Sequence, residues 1–502
     1  MLKRLLIANR GEIAIRIARA AADLGIETVA VYTDDDATSL HVRRADQAVA
    51  LPGRGGAGYL DADALVTMAQ CTGCDGVHPG YGFLSENVDF ARQVRDAGLV
   101  FVGPRPEILE SFGHKVTARE LAAECGVPVL PGTVGPTDPA EARAFFAELP
   151  PGAAMVIKAV AGGGGRGMRI VRDAGAIETA WERCASEAGT AFGNPELYVE
   201  QLVERARHVE IQVLGDADGQ VSHLWERECT LQRRHQKLIE LAPSPGLLPE
   251  TRRGLVEAAV RLAEHARYDN LGTMEFLVDD ADPEQRFVFI EANARLQVEH
   301  TVTEEITGVD LVRTQIALAT GASLTELGLD REQVPAPRGR AVQARVNMET
   351  MEVDGSTRPA GGTLTAFEVP TGRGVRVETY GYAGYTTSPA FDSLLAKVVV
   401  ADIASDLTAV LDRAARALEE FRIEGVSTNL EFLRALLAHE AVRNNAVYTR
   451  FVEDHTAELM QAMPARHATP AGTAAGAVPG PAPGPEPEPG TRGISAPMQG
   501  TV

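Results

Sequence analysis

The sequence predicts a mixed fold: an open α/β domain with a parallel sheet at the N-terminus, then α+β domains built from antiparallel hairpins. Three observations carry this. Residues 3–33 read as strand, helix, strand. Alternation of strands and helices continues to about residue 113. From about residue 115, short strands come in neighbouring pairs joined by turn residues.

In the first unit Leu5 to Ala8 is an apolar run, and Glu12 to Ala22 has helical spacing at Ile13, Ile17 and Ala20. Thr28 to Tyr32 is a second buried strand, followed by Asp34-Asp35-Asp36. A dinucleotide site would need GxGxxG in the first turn, and Ala8-Asn9-Arg10-Gly11-Glu12 lacks it. His78-Pro-Gly-Tyr-Gly-Phe-Leu84 is a Gly/Pro loop after a short strand, at the strand carboxyl ends where open sheets bind ligands. Val100 to Val102 is the next strand.

Further on, Val209 to Leu214 and Val221 to Trp225 flank one turn-rich segment, and Thr273 to Val278 and Phe287 to Glu291 flank another. Both pairs read as hairpins. A strand-rich stretch from 340 to about 400 precedes helices near 405–421 and 428–438. Pro464 to Gly493 is Pro, Ala and Gly with few apolar side chains, which predicts an extended linker. Structured sequence resumes at Ile494 and stops at Val502, so the protein is expected to continue beyond this chain.

A chain of 502 residues exceeds one ordinary core, so two to four subdomains are expected. With 48 Lys and Arg against 69 Asp and Glu, the net charge of −21 argues against nucleic-acid binding. Local basic clusters still leave phosphate ligands open. No signal-peptide pattern and no run of ~20 apolar residues is present, which predicts a cytoplasmic protein without membrane partners. Five scattered cysteines suit a reducing compartment, and Cys71-Thr-Gly-Cys74, without a second pair, reads as ordinary thiols.

Three segments carry chemistry. Gly162, Gly163, Gly164 and Gly165 lie between two strand-like runs, with Lys158 before them and Arg166 after. Such a run can wrap N–H groups around an anion, and the absence of Gly-Lys-Ser/Thr excludes a Walker A loop. A lid hinged over a nucleotide fits; a plain surface hairpin is the alternative. Glu226 to Lys237 concentrates Arg227, Arg233, Arg234, His235 and Lys237 in an acidic protein, which favours an anion site over a solvated basic face. In Glu291 to Glu299, an extended chain would put Glu291, Asn293, Arg295, Gln297 and Glu299 on one face. A soluble edge strand would alternate too, but the order carboxylate, amide, guanidinium, amide, carboxylate suits a metal and oxyanion site. Glu275 on the preceding strand adds a second carboxylate for one Mg²⁺. Arg295 suits a small planar anion, and Glu299 beside it suits a base.

Together these segments resemble biotin carboxylase, of the ATP-grasp superfamily, from about residue 2 to 453. The motifs are Ile7-Ala-Asn-Arg-Gly-Glu-Ile13, His78-Pro-Gly-Tyr-Gly-Phe-Leu-Ser-Glu-Asn87, Gly162-Gly-Gly-Gly-Arg-Gly-Met168, Arg207-His-Val-Glu-Ile-Gln-Val213, Gln232-Arg-Arg-His-Gln-Lys237 and Gln297-Val-Glu-His300. The resemblance implies a parallel-sheet (pre-ATP-grasp) domain at 1–113 and an ATP-grasp domain at 114–330 with a mobile Gly-rich lid at about 130–204. It further implies a C-terminal biotin carboxylase domain at 331–455, a linker at 456–493 and the start of a biotinyl carrier domain at 494–502. ATP, Mg²⁺ or Mn²⁺, bicarbonate and biotin attached outside this chain are the implied cofactors.

The resemblance also assigns roles. Lys115, Lys158, Glu200, His208, Gln232, His235 and the four glycines fall to the nucleotide, and Glu275, Glu291 and Asn293 to the metal. Lys237, Arg295, Gln297 and Val298 fall to bicarbonate, with Glu299 as its base. Arg345 falls to the biotin enolate, Tyr81 to the biotin ring, and Arg16 and Arg19 to a homodimer or larger oligomer. The lid begins Ala159-Val-Ala161 where the pattern has Ala-Ser-Gly, and Ala292, Ala294 and Thr301 also depart from it. The Met-Lys biotin acceptor is absent, which places acceptor and carboxyltransferase beyond residue 502 or on another chain. The short linker points to an acyl-CoA carboxylase. Glu299-His-Thr-Val-Thr-Glu-Glu305 and Glu420-Phe-Arg-Ile-Glu-Gly425 point instead to a pyruvate carboxylase. Another ATP-grasp carboxylate ligase and a non-catalytic assembly module are the rival readings.

Overall fold

Leu5, Leu6 and Ile7 are fully buried, as a strand covered on both faces must be. They form β1 (Arg4–Ile7), the centre of a five-stranded parallel sheet with β2 (Glu27–Tyr32), β3 (Gln47–Ala50), β4 (Gly76–His78) and β5 (Val100–Phe101) in the order β3-β2-β1-β4-β5. The structure is a computed structural model that describes residues 2–133, 135–160, 167–352, 355–403 and 406–464. The expected helix is Gly11–Asp23, with Ile13 and Ile17 packed on Leu5 and Ile7, and Ile15 turned into a second core. Asp36, from the acidic run, is buried and holds Arg10 through two hydrogen bonds of 2.5 and 2.7 Å. Gly11 opens the helix at φ +66°, and a Cβ there would stand 3.4 Å from Tyr380, so this turn packs against a ring.

A three-stranded sheet of β6 (Met155–Ala159), β7 (Met168–Val171) and β8 (Leu197–Gln201) has its own small core, including Ile157, Val171, Ile177 and Val199. The glycines Gly162 to Gly165 and Arg166, expected to form part of a lid over a nucleotide, lie outside the described residues.

The remaining long strands form one eight-stranded antiparallel sheet. It contains β9 (Ala206–Gly215), β10 (Val221–Arg233), β11 (Gln236–Ala242), β12 (Asn270–Asp279), β13 (Phe287–Asn293) and β14 (Arg340–Asn347). Two short pairs follow along the chain: β15 (Glu349–Met351) with β16 (Thr357–Pro359), and β17 (Ala366–Glu368) with β20 (Arg422–Glu424). Between them, β18 (Val375–Thr379) and β19 (Leu394–Asp402) complete the large sheet in the order β13-β12-β9-β10-β11-β14-β19-β18. Both expected hairpins are present, as β9–β10 and β12–β13. Their strands continue into those from beyond residue 340 through the β11–β14 ladder, so the sheet crosses the expected division at 330.

Tyr268, just before β12, packs against that strand closely enough that a Cβ on Gly272 would lie 1.9 Å from its hydroxyl. Gly272→Ala is therefore expected to cost about 1–3 kcal/mol by overpacking, read as a lower midpoint in chemical denaturation. The C-terminal helices are Leu407–Glu420 and Leu430–Ala438, close to expectation. The linker expected from 456 begins later, because Thr456–Ala462 is helical with Leu459 fully buried. The segment from 465, including the expected carrier start at 494–502, lies outside the described residues. No helix among the described residues is long and apolar enough to cross a membrane. All five cysteines are free thiols, and Cys71 and Cys74 flank the end of helix Ala62–Cys71.

Candidate functional site

Two ladder irregularities and one turn bring the polar side chains together. In the β12–β13 ladder Glu275 opposes Glu291 while Phe276 opposes Phe289, so Ile290 is an extra residue. Strict alternation would put Glu291 on the buried face of Phe289. The extra residue reverses it and turns Glu291 out. In the β10–β11 ladder Leu231 opposes Ile239 and Gln232 opposes Lys237, leaving Leu238 extra. Lys237 and Glu240, three apart, thereby share a face. The expected extended stripe ends at Asn293, because Arg295 to Glu299 forms a turn leading into helix His300–Thr307. Burial follows the turn: Gln297 is buried and Val298 half-buried, the reverse of strict alternation.

These elements wall a cavity of about 1240 Å³. Its lining includes Tyr81, Lys115, Lys158, His208, Gln232 and His235. It also includes Lys237, Glu275, Glu291, Asn293, Arg295, Gln297, Val298, Glu299 and Arg345. Glu200 stands just behind this wall, 1% exposed.

Lys237 is the hub. Its Nζ lies 2.6 Å from Glu210, 3.2 Å from Glu275 and 2.6 Å from Glu299. Glu299 is 1% exposed, and its other oxygen accepts from Arg345 at 3.0 Å. Arg345 also binds the buried Glu240. Fully buried Arg227 bonds Glu210, Gln212, Thr273 and Thr303. Burial alone would raise the Glu299 carboxyl, but Lys237, Arg345 and Arg227 override it and hold that carboxyl well below the usual range. Its place at the start of a helix adds to this, since helix N-termini favour negative charge. Burial likewise works against the Lys237 charge, and the surrounding carboxylates raise its pKa. Glu275 is lowered against burial by Lys237 and then His208, whose Nε2 is 2.5 Å away.

At the other end, Lys115 lies 3.4 Å from Glu291, and Lys158 pairs with Glu200, which Arg119 holds from behind. Gln232 Nε2 is 3.2 Å from His208 Nδ1, and His235 occupies a φ of +64° in the β10–β11 turn. Asn293 donates to Glu275 at 2.7 Å and accepts from Arg295 at 2.8 Å. Glu275, Glu291 and Asn293 thus offer clustered hard oxygen donors, a set that fits Mg²⁺.

The expected basic cluster is divided. Arg227 is spent on Glu210, and Arg233 on Glu349 at 2.7 Å; Arg234 is exposed, so only His235 and Lys237 line the cavity. Arg16 is likewise held internally, by Glu304 at 2.8 Å and Asp310 at 2.6 Å, whereas Arg19 is largely exposed beside Glu378. Sequence reading passed over Glu86, which binds Arg295 at 2.7 Å, and also Glu210, Glu240 and Arg119. Glu86 and Glu210 lie inside motifs that could have flagged them. Glu240 has no local signal, because its partner Arg345 is distant in sequence.

Residues 1–109 match the family described as Biotin carboxylase, N-terminal domain, and residues 343–454 the Biotin carboxylase C-terminal domain. Residues 114–327 match the Carbamoyl-phosphate synthase L chain, ATP binding domain. The biotin carboxylase domain of a single-chain bacterial carboxylase is 51% identical, with a TM-score of 0.81, over 92% of this chain and 99% of that one. The chain belongs to the biotin carboxylase family.

The biotin carboxylase family membership makes it an ATP-dependent ligase. The biotin carboxylase domain dimer of the Hydrogenobacter thermophilus 2-oxoglutarate carboxylase, in complex with MgADP, ADP and bicarbonate, is 39% identical. It aligns with a TM-score of 0.86 over 91% of this chain and 99% of that one. A single-chain, multi-domain long-chain acyl-CoA carboxylase is 45% identical, with a TM-score of 0.81, over 92% of this chain and 43% of that one. The pyruvate carboxylase of Aspergillus niger is 45% identical over 458 residues, which are 90% of this chain and 38% of the relative. The chain thus spans well under half the length of that relative.

Proposed function

We propose that this chain carboxylates carrier-bound biotin with bicarbonate and ATP, as the first half-reaction of a biotin-dependent carboxylase. The observation that supports it most is the Glu299 carboxylate held between Lys237 and Arg345 on one wall of a cavity that Lys115 and Lys158 also line. The nucleotide phosphates face Lys115 and Lys158, and Glu200, His208, Gln232 and His235 complete that end. Glu275, Glu291 and Asn293 would hold Mg²⁺, which would supply charge neutralisation at the phosphates when bound.

Bicarbonate sits against Arg295, Gln297, Val298 and Lys237. Glu299 takes its proton as a bicarbonate oxygen attacks the γ-phosphorus, giving carboxyphosphate and ADP. Carboxyphosphate releases CO₂ and phosphate, the phosphate takes the ureido N–H proton, and Arg345 stabilises the resulting biotin enolate whose nitrogen takes up the CO₂, with Tyr81 against the ring. Both Glu299 oxygens accept from cations, Lys237 and Arg345, which lowers its proton affinity. Anionic substrates draw Lys237 and Arg345 towards themselves and restore its proton affinity. The divisions at 113 and 330, a homodimer or larger oligomer through the region of Arg16 and Arg19, and a cytoplasmic location belong to the same reading.

For the second half-reaction we favour an acyl-CoA acceptor, supported by the short Pro464 to Gly493 linker before the carrier-like segment. Pyruvate is the second reading, favoured by the 45% identity to a pyruvate carboxylase. The first half-reaction is tested on the purified chain: ATP hydrolysis rises only when bicarbonate and free biotin are both present, and Arg345→Ala loses that rise. Turnover indifferent to both additives sinks the proposal. Fixation of labelled bicarbonate by the full-length protein onto acyl-CoA or onto pyruvate separates the acceptors.

A further inference from the structure

Lys397 is a wholly buried lysine in the middle of β19. It stands directly opposite Arg345 in the β14–β19 ladder, so the two side chains leave the same face of the sheet. Arg345 reaches the side chain of Glu299. Lys397 reaches the main chain one residue earlier, with its Nζ donating to the Val298 carbonyl at 3.0 Å. The same Nζ lies 3.1 Å from Glu12 in the first turn of helix Gly11–Asp23. Glu12 in turn accepts from the hydroxyl of Tyr81. One buried ion pair therefore joins the parallel-sheet domain, the Gln297–Glu299 turn and the C-terminal strands. A buried ammonium is costly, and a methionine of similar length would fill the space without that cost. The lysine is explained by what it holds.

We propose that Lys397, fixed by Glu12, is a positioning residue that clamps the Val298 carbonyl and so sets the Gln297–Glu299 turn against its anionic substrate. The clamp rests on the reading of that turn as the bicarbonate site. Arg345 and Lys397 act as adjacent pins on one turn, the first on the base itself and the second on the backbone that carries it. Glu12 shares its carboxylate between this pin and Tyr81, which links the bicarbonate turn to the side of the cavity assigned to biotin.

The test uses two variants of the purified chain, Lys397→Met and the double variant Glu12→Gln with Lys397→Met, which leaves no orphaned buried carboxylate. Two readouts are taken: bicarbonate-dependent ATP hydrolysis with free biotin, and amide hydrogen exchange in a peptide covering Gln297–Glu299. The clamp predicts a rise in KM for bicarbonate of about tenfold or more, with KM for ATP changed by less than about twofold. It also predicts faster exchange in the turn while peptides from β9 and β12 exchange as before. An unchanged bicarbonate KM in the folded double variant overturns it, as does an equal rise in both KM values. Absence of bicarbonate-dependent turnover in the unsubstituted chain overturns the functional reading instead. The exchange comparison then still decides whether Lys397 fixes the turn, and unchanged exchange overturns that as well.

Discussion

Glu299→Gln removes bicarbonate- and biotin-stimulated ATP hydrolysis by about 10²–10⁴-fold, the range that a positioned general base contributes, while the protein stays folded and binds MgADP. Around Lys237 the structure buries four carboxylates, Glu210, Glu240, Glu275 and Glu299, against three cations, Arg227, Lys237 and Arg345. Gln keeps the volume and removes one negative charge, while every cation in the cluster keeps a carboxylate partner. Lys237 retains Glu210 and Glu275, and Arg345 retains Glu240, so no cation is stranded. Activity is measured as ATP turnover against bicarbonate concentration, and integrity as the thermal shift produced by MgADP. A variant that keeps its bicarbonate dependence removes Glu299 from the role of base.

Lys237→Met has the opposite balance and a larger cost. Four buried carboxylates then face two cations, and breaking a buried pair in this way costs about 3–5 kcal/mol. Turnover is also expected to fall, because the ammonium proposed to face bicarbonate is gone. The pH dependence identifies the cause. In the unsubstituted protein Glu275 and Glu299 are held below the ordinary carboxylate range, so they add stability above that range and lose it as pH falls. Without Lys237 their proton affinities rise, and the folded variant gains protons on acidification. The gap in melting temperature between the two proteins should therefore narrow from about pH 8 to about pH 5. A gap that stays constant across this interval attributes the loss to packing and not to charge.

Much of the site was legible because its residues cluster locally. The period of two placed Glu291 and Asn293 outward while Ala292 stays buried, and the position of Glu275 on the preceding strand was read correctly from the hairpin. The early strands and helix were legible because Leu5 to Ala8 and Ile13 to Ala20 carry unmixed periods. The basic segment misled because net charge along the chain is silent about depth. Arg227 and Arg233 look like Lys237 in sequence, yet each is matched to a glutamate brought in from another strand.

By itself, the sequence determined the parallel unit, the two hairpins, the family likeness and about half of the polar residues that line the cavity, since each rests on short-range pattern or contiguous motif. Tertiary structure decided the rest. It joined strands on both sides of residue 330 into one sheet and broke the Glu291 to Glu299 stripe into strand and turn. It used Ile290 and Leu238 as extra residues to re-aim Glu291 and Lys237. It also set Glu240 and Lys397 beside partners far away in sequence. The reason is physical: period and composition act between neighbours, whereas the choice of partner for a buried charge is settled only when distant strands meet and leave no water to take its place.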